Sequence, residues 1–196
     1  MRIIVPHRGL AAAKTRLAPV LDAGERESLA RTLLARVLSV AREACDDVVV
    51  ITPSEGLRPI VQEAGARLAV QRGMGLNEGL EQARAEALRD GVEMLTVLHG
   101  DLPNLAADDV TALVTAVPGP AGVAIAPDHN GTGTNGLAQS PPDAIRFAFG
   151  QDSLAQHRVA ATEAGVPYTV VDRPGLAFDL DTPADLARWL ELGDAA

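Results

Sequence analysis

Apolar residues along the chain form short runs that alternate with longer stretches of helical spacing. The short runs predict seven strands, at residues 3–6, 47–52, 67–70, 94–98, 122–126, 144–149 and 168–171. Between them, apolar residues recur at steps of three and four, as in Leu29, Leu33 and Val37, which predicts helices. Strands that are apolar throughout, such as VVVIT (48–52), are typical of a sheet covered on both faces. The pattern predicts one α/β domain over residues 1–196, with a mostly parallel central sheet covered by helices.

Composition excludes several classes of function. The 17 Lys and Arg residues against 26 Asp and Glu give a net charge of −9, which disfavours a nucleic-acid partner. The single cysteine, Cys45, excludes an internal disulfide and a zinc site built from cysteines. No apolar run approaches the roughly 18–20 residues of a membrane span, so we expect no membrane partner and a cytoplasmic location.

Three cations follow the first predicted strand, in the segment PHRGLAAAKTRL. Ligands of open α/β sheets bind beyond the carboxyl ends of the strands, so Arg8, Lys14 and Arg16 are candidates for holding an anion such as a nucleotide phosphate. A solvated loop that leads into a helix explains the same residues equally well. The sequence leaves these two interpretations open.

Three aspartates are candidate metal ligands. Asp101 comes after TVLHG, the end of an apolar run, and is followed by Leu102 and Pro103, although a local turn would also explain it. Asp179 and Asp181 are two residues apart, so an extended backbone points both carboxylates to one face. Like charges so placed repel unless a cation lies between them. Thr182 and Asp185 are predicted to cap the following helix, which does not explain the Asp179/Asp181 pair.

Two further segments offer backbone and hydroxyl donors. The stretch PDHNGTGTNGL (127–137) contains Thr134, and FGQDSLAQH places Gly150 and Ser153 where a helix begins. Free N–H groups at a helix N-terminus bind anions. We favour a ligand role for the first segment over a surface loop, and ordinary helix capping is the alternative for the second. Asn77, at the start of another predicted helix, is either a cap or a contact to a nucleotide.

These segments resemble one known family. The order AKTRLAP, GLNEGL, GDLP, PDHNGTGTN, FGQDSLAQH and DLDTPADL is similar to the guanylyltransferases of coenzyme F420 biosynthesis, which join GTP to 2-phospho-L-lactate or phosphoenolpyruvate. The likeness runs from about Ile3 to Leu186. It implies a single Rossmann-like nucleotidyltransferase domain, similar to the GT-A glycosyltransferase fold.

The resemblance also assigns roles to residues. It implies Mg²⁺ on Asp101, Asp179 and Asp181, with Asp101, Lys14 and Arg16 as catalytic residues. It places GTP on the positions Arg8, Lys14, Arg16 and Asn77. It places the phosphorylated acid on Thr134, Gly150 and Ser153. We favour phosphoenolpyruvate as this acid over 2-phospho-L-lactate, and 3-phosphoglycerate is a further alternative. Two kinds of protein partner stay open, namely a second copy of this chain in a homo-oligomer and the next enzyme of F420 biosynthesis, to which the product would be handed over.

Two other classes of function compete with this hypothesis. One is a nucleotidyltransferase or glycosyltransferase that acts on a sugar phosphate, which a comparison of GTP, CTP and UTP would separate. The other is a catalytically silent nucleotide-binding module, which would release no diphosphate with any acceptor.

Overall fold

Strands and helices alternate along residues 1–193, the part of the chain that this computed structural model describes. The strands are β1 (Arg2–Pro6), β2 (Val48–Thr52), β3 (Arg67–Val70), β4 (Leu95–Leu98), β5 (Gly122–Pro127), β6 (Thr134–Ser140) and β7 (Tyr168–Val170). The α-helices are α1 (Ala23–Ala44), α2 (Arg58–Glu63), α3 (Leu76–Arg89), α4 (Ala107–Thr115), α5 (Ser153–Ala164), α6 (Pro174–Ala177) and α7 (Pro183–Gly193).

All seven strands form one sheet, in the order β3-β2-β1-β4-β6-β5-β7. Strands β3, β2, β1 and β4 pair in parallel, and β7 pairs in parallel with β5. Strand β6 is antiparallel to both of its neighbours, β4 and β5. The prediction of a mostly parallel sheet is therefore confirmed, with one reversed strand near its middle among the described residues.

Helices bury both faces of the sheet. Because neighbouring residues of a strand point to opposite faces, Ile3 packs with α1, α2 and α4 while Ile4 packs with α3 and α5. Both side chains are fully buried, as the apolar pattern of β1 predicted. No helix within residues 1–193 has the length and apolar character needed to cross a membrane.

One predicted strand is wrong and one observed strand was missed. Residues 144–149 pair with no strand. Side chains accept instead from the backbone N–H groups of three of these residues. Gln139 Oε1 accepts from Ile145, His157 Nε2 from Ala148, and Asn77 Oδ1 from Phe149. The seventh strand of the sheet is instead β6, from a Gly- and Thr-rich stretch predicted to be loop.

Candidate active site

The predicted site residues meet in one cleft. It has a volume of roughly 610 Å³ and lies at the carboxyl ends of β1 and β4, where the reversed strand β6 begins. Its lining includes nearly all of the candidates, namely Arg8, Lys14, Arg16, Asp101, Thr134, Gly150, Ser153, Asp179 and Asp181. Asn77 is the exception and lies behind the cleft wall.

Lys14 is the buried cation at one end of the cleft. Its Nζ donates to Asp101 Oδ2 at 2.8 Å and to Asp181 Oδ1 at 3.0 Å, and its side chain is only 5% exposed. Burial by itself lowers the pKa of Lys14, but the charges of Asp101 and Asp181 outweigh it and raise the pKa. Lys14 is therefore an ammonium ion at neutral pH. Its backbone is in the left-handed region, with a φ of 55°.

Asp101 lines the cleft three residues after the end of β4. Burial, the largest single influence, acts to raise the pKa of its carboxyl, but the Lys14 charge, the Lys14 hydrogen bond and the nearby His99 and His7 together outweigh it, so the pKa lies below its ordinary value. Its second oxygen, Oδ1, is buried and has no hydrogen-bond partner among residues 1–193. The Asp101 carbonyl accepts from the N–H of Leu180 at 3.2 Å, which brings the Asp179/Asp181 segment against it.

Asp179 and Asp181 have different surroundings. Asp179 accepts from Asn135 Nδ2 at 3.1 Å, and its pKa is raised, first by burial and then by the charges of Asp101 and Asp181 against the opposing hydrogen bond. Asp181 contacts Lys14 and lies 3.8 Å from the guanidinium of Arg16, whose side chain is 74% exposed. Carboxylate repulsion is therefore concentrated on Asp179.

The helix that follows begins as predicted. Asp185 Oδ2 accepts from the Thr182 N–H at 2.7 Å, and Thr182 Oγ1 accepts from the Asp185 N–H at 3.3 Å. Asp185 Oδ2 also accepts from the Asp181 N–H at 3.1 Å. The capping interaction thus holds the backbone of Asp181 at the start of α7.

Whether this end of the cleft suits Mg²⁺ depends on the carboxylate oxygens that it offers as ligands. No three His, Cys, Asp or Glu side chains within residues 1–193 are arranged to hold a metal ion by themselves. Mg²⁺ usually takes only one or two carboxylates, with water and substrate phosphate completing its shell. The unpartnered Oδ1 of Asp101 and the crowded carboxylate of Asp179 suit such a partial ligand set.

Thr134, Gly150 and Ser153 line the part of the cleft built on β6 and the N-terminal side of α5. This part is named the neutral end because these three side chains carry no charge, although Asp128 also lines the cleft. Thr134 is buried at the start of β6, and its Oγ1 lies 3.1 Å from His157 Nδ1. Gly150 has a φ of 131°, which a residue with a side chain rarely adopts. Ser153 begins α5, whose first N–H groups lack partners within the helix.

Three residues that support this arrangement were not assigned these roles in the sequence analysis. Asn135 donates to Asp179, and buried His157 contacts Thr134. Asn77 was predicted to contact the nucleotide, but its amide donates to the Phe149 carbonyl and accepts from the Phe149 N–H, both at 2.9 Å. Its position supports the segment before Gly150, and a direct nucleotide contact stays a prediction. Each role depends on partners far along the chain, which no local motif reveals.

His7 adds no charge to the cleft at neutral pH. Its Nδ1 accepts from the Gly9 N–H at 2.9 Å. Burial is the main reason why the pKa of His7 is lowered to about 4. The Asp101 charge acts to raise this pKa and the Lys14 charge acts to lower it, and both effects are smaller than that of burial. The positive charge that faces an incoming anion therefore comes from lysine and arginine.

The sheet, its covering helices and the cleft define a fold of the nucleotidyltransferase type. A Desulfovibrio desulfuricans G20 protein described as a nucleotide-diphospho-sugar transferase superposes with a TM-score of 0.79 at 18% identity, covering 98% of this chain and 88% of the other. CMP:2-keto-3-deoxy-manno-octonic acid synthetase superposes with a TM-score of 0.64 at 16% identity, over 99% and 98% of the two chains. At such low identity the likeness shows the fold alone.

The chain belongs to the family described as guanylyl transferase CofC like, which matches residues 1–195, and it is a nucleotidyltransferase. It is 44% identical over 185 residues to the phosphoenolpyruvate guanylyltransferase of Sphaerobacter thermophilus, covering 93% of this chain and 89% of the relative. The Rubrobacter xylanophilus protein of the same name is 42% identical, over 94% and 91%. The 3-phospho-D-glycerate guanylyltransferase of Colwellia psychrerythraea is 30% identical, over 94% and 88%.

Proposed function

We propose that this enzyme transfers the guanylyl group of GTP to the phosphate of phosphoenolpyruvate, giving enolpyruvyl-diphospho-5'-guanosine and diphosphate, as a step of coenzyme F420 biosynthesis. The observation that carries the proposal is the division of one cleft into a charged end and a neutral end. Lys14 and the aspartates lie at the first, and Thr134 and the N-terminus of α5 lie at the second. Two anionic substrates thus have separate but adjoining places.

The reaction needs no protein nucleophile. A phosphate monoester has a second pKa near 6, so at neutral pH an oxygen of the acid's phosphate is already anionic. That oxygen attacks the α-phosphorus of GTP, and the bond from the α-phosphorus to the bridging oxygen breaks as diphosphate leaves with the electron pair. We assign Lys14 and Arg16, which line the cleft, to the GTP phosphates and to the charge that develops on diphosphate.

Arg8 also lines the cleft and is the further cation that we assign to GTP. Asp101, Asp179 and Asp181 would hold Mg²⁺, which when bound neutralises phosphate charge and orients the leaving diphosphate. Lys14 bridges Asp101 and Asp181 here, so we propose that its ammonium turns toward the nucleotide when GTP and Mg²⁺ bind.

The relatives support phosphoenolpyruvate as the acid. Relatives with 44% and 42% identity carry the name phosphoenolpyruvate guanylyltransferase, whereas the relative named for 3-phospho-D-glycerate is 30% identical. The acids differ in planarity, in one hydroxyl and in the position of the phosphate, and a small group is worth only about 1–3 kcal/mol in an apolar pocket. We therefore retain 3-phosphoglycerate and 2-phospho-L-lactate as alternative acceptors.

A product assay tests the proposal directly. The enzyme is mixed with GTP and Mg²⁺ and with each of the three acids separately, and the guanylated product is identified by mass. We expect product and diphosphate with phosphoenolpyruvate. Product from another acid only would replace the acceptor but retain the reaction, whereas no product from any acid would overturn the proposed function.

A further inference from the structure

His157 lies behind the neutral end of the cleft and has no direct access to it. It is fully buried on α5, one turn after Ser153, and the edge of its ring packs against Phe149 with centroids 4.8 Å apart. It nevertheless contacts two elements of the proposed acid site. Its Nδ1 is 3.1 Å from Thr134 Oγ1, and its Nε2 accepts from the Ala148 N–H at 3.1 Å.

The second contact determines which nitrogen carries the hydrogen. A backbone N–H can only donate, so Nε2 must be the unprotonated nitrogen that accepts from Ala148. A neutral imidazole has one N–H, which must then be on Nδ1. Burial lowers the pKa of His157 to about 4, with the charges of Arg146 and His99 acting in the same direction, which agrees with a neutral ring.

This tautomer orients the hydroxyl of Thr134. The Nδ1–H of His157 donates to Thr134 Oγ1, so that oxygen acts as the acceptor of this pair and its own hydrogen is directed elsewhere. No other hydrogen bond of Thr134 Oγ1 exists within the described residues, and Thr134 lines the cleft. The hydroxyl is thereby left to donate into the cleft, where an oxyanion is the best acceptor.

We propose that His157 is a positioning residue that holds the Thr134 hydroxyl as a donor toward an oxyanion of the phosphorylated acid. This inference rests on the proposed function, since it names how that acid is selected. His157 acts through Thr134 and touches no substrate. Its effect is therefore on binding of the acid, and the nucleotide end is unaffected.

Two substitutions at position 157 separate the two hydrogen bonds. The amide nitrogen of His157→Asn occupies the place of Nδ1 and retains a donor to Thr134, whereas the longer His157→Gln reaches the place of Nε2. We expect His157→Gln to raise the KM for phosphoenolpyruvate about tenfold, because a hydrogen bond to a charged group is weakened. His157→Asn should restore most of that loss, and the KM for GTP should stay within about twofold in both.

Thr134 variants show whether the effect passes through the hydroxyl. In a Thr134→Val background, His157→Asn and His157→Gln should have the same KM for phosphoenolpyruvate, while Thr134→Ser should preserve the difference between them. Equal KM values for the two variants in the native background would overturn the inference. So would parallel rises in both KM values, or a difference that persists with Thr134→Val.

A measurement on the unmodified enzyme covers the case in which these variants do not fold. Nitrogen-15 NMR of the imidazole should show His157 as the Nδ1–H tautomer at neutral pH, and an Nε2–H tautomer would overturn the inference. Product formation by the unmodified enzyme is followed in parallel. Its absence would defeat the proposed function, whereas the NMR result concerns His157 alone.

Discussion

At the end of the cleft built on β1 and β4, charged groups hold one another in place, whereas at the end built on β6 and α5 neutral groups do so. Lys14 is buried between Asp101 and Asp181 at the first. At the second, neutral His157 contacts Thr134, and the amide of Asn77 holds Phe149.

The difference matches what each end must do during the proposed reaction. Groups at the charged end must exchange partners when metal and triphosphate arrive, and ion pairs can do so because one anion replaces another. The neutral end must distinguish acids that differ by small groups. Directional hydrogen bonds backed by buried side chains are suited to that task.

The largest effect should come from removing a carboxylate at the charged end. Asp101→Asn should lower turnover by on the order of 10²–10³, because it removes transition-state stabilisation that the nucleotide requires. Diphosphate release under saturating GTP and phosphoenolpyruvate measures it. Asp172→Asn, at an exposed position outside the cleft, should leave turnover unchanged. Full activity of Asp101→Asn with a chelator present would contradict the assigned role.

Removing the buried cation should act mainly on the nucleotide. Lys14→Ala should raise the KM for GTP roughly 10- to 100-fold, the value of one charge-assisted contact, with little change in the KM for the acid. Initial-rate kinetics with each substrate varied in turn measures both constants. An equal rise in both would show that the two ends are not separate. Arg16→Ala, at a position 74% exposed, serves as the comparison and should also raise the KM for GTP.

A backbone change at the neutral end should have the opposite pattern. Gly150 has a φ of 131°, so Gly150→Ala strains the turn before α5 by about 1–3 kcal/mol and should raise the KM for phosphoenolpyruvate several-fold. Gly119→Ala is the matched control, since Gly119 also has a positive φ, of 70°, but lies outside the cleft. It should lower stability without changing either KM. A change confined to the KM for GTP would contradict the division of the cleft.

The smallest effects concern stability. Replacing Asp179 and replacing Asp101, two carboxylates of the same cluster, should change Tm in opposite directions. Burial and neighbouring carboxylates raise the pKa of Asp179, so its charged form destabilises the fold as pH rises above about 4. Asp179→Asn should therefore raise Tm at pH 7 without metal by a few degrees, the shift that a gain of about 1 kcal/mol in the free energy of unfolding produces.

Asp101 should behave in the opposite way. Despite its burial, the Lys14 charge lowers the pKa of Asp101, so this carboxylate stabilises the fold above its unfolded pKa, and the contribution is lost as pH falls through the folded value. Asp101→Asn should therefore lower Tm at pH 7. Thermal unfolding of both variants with and without Mg²⁺ checks the pair. A Tm change of the same sign in both would contradict the assigned charge distribution.

Much of the fold could be predicted from the chain pattern, and the exception is informative. Six of the seven predicted strands are present. Four of them, β1, β2, β4 and β5, are buried and have apolar sequences for that reason, whereas β3 and β7 are partly exposed strands at the edges of the sheet. Residues 144–149 resemble a strand in sequence because they include the buried side chains of Phe147 and Phe149. The N–H groups of Ala148 and Phe149, however, donate to side chains and not to a neighbouring strand. Strand β6 was missed because its sequence, TNGLAQS, has no continuous apolar run, and its place in the sheet comes from pairing with β4 and β5 on either side.

The sequence by itself determined the fold class, the acidic charge and the identity of nine residues that line the cleft. Those properties follow from local periodicity and from the positions where strands end, which are written in short stretches of chain. Only the tertiary structure decided that Lys14 bridges Asp101 and Asp181, and that His157 orients Thr134. Residues 14 and 181 are far apart along the chain, and a tautomer depends on which backbone N–H reaches the ring. Such contacts are set by the packing of the whole sheet and its helices, so no local pattern contains them.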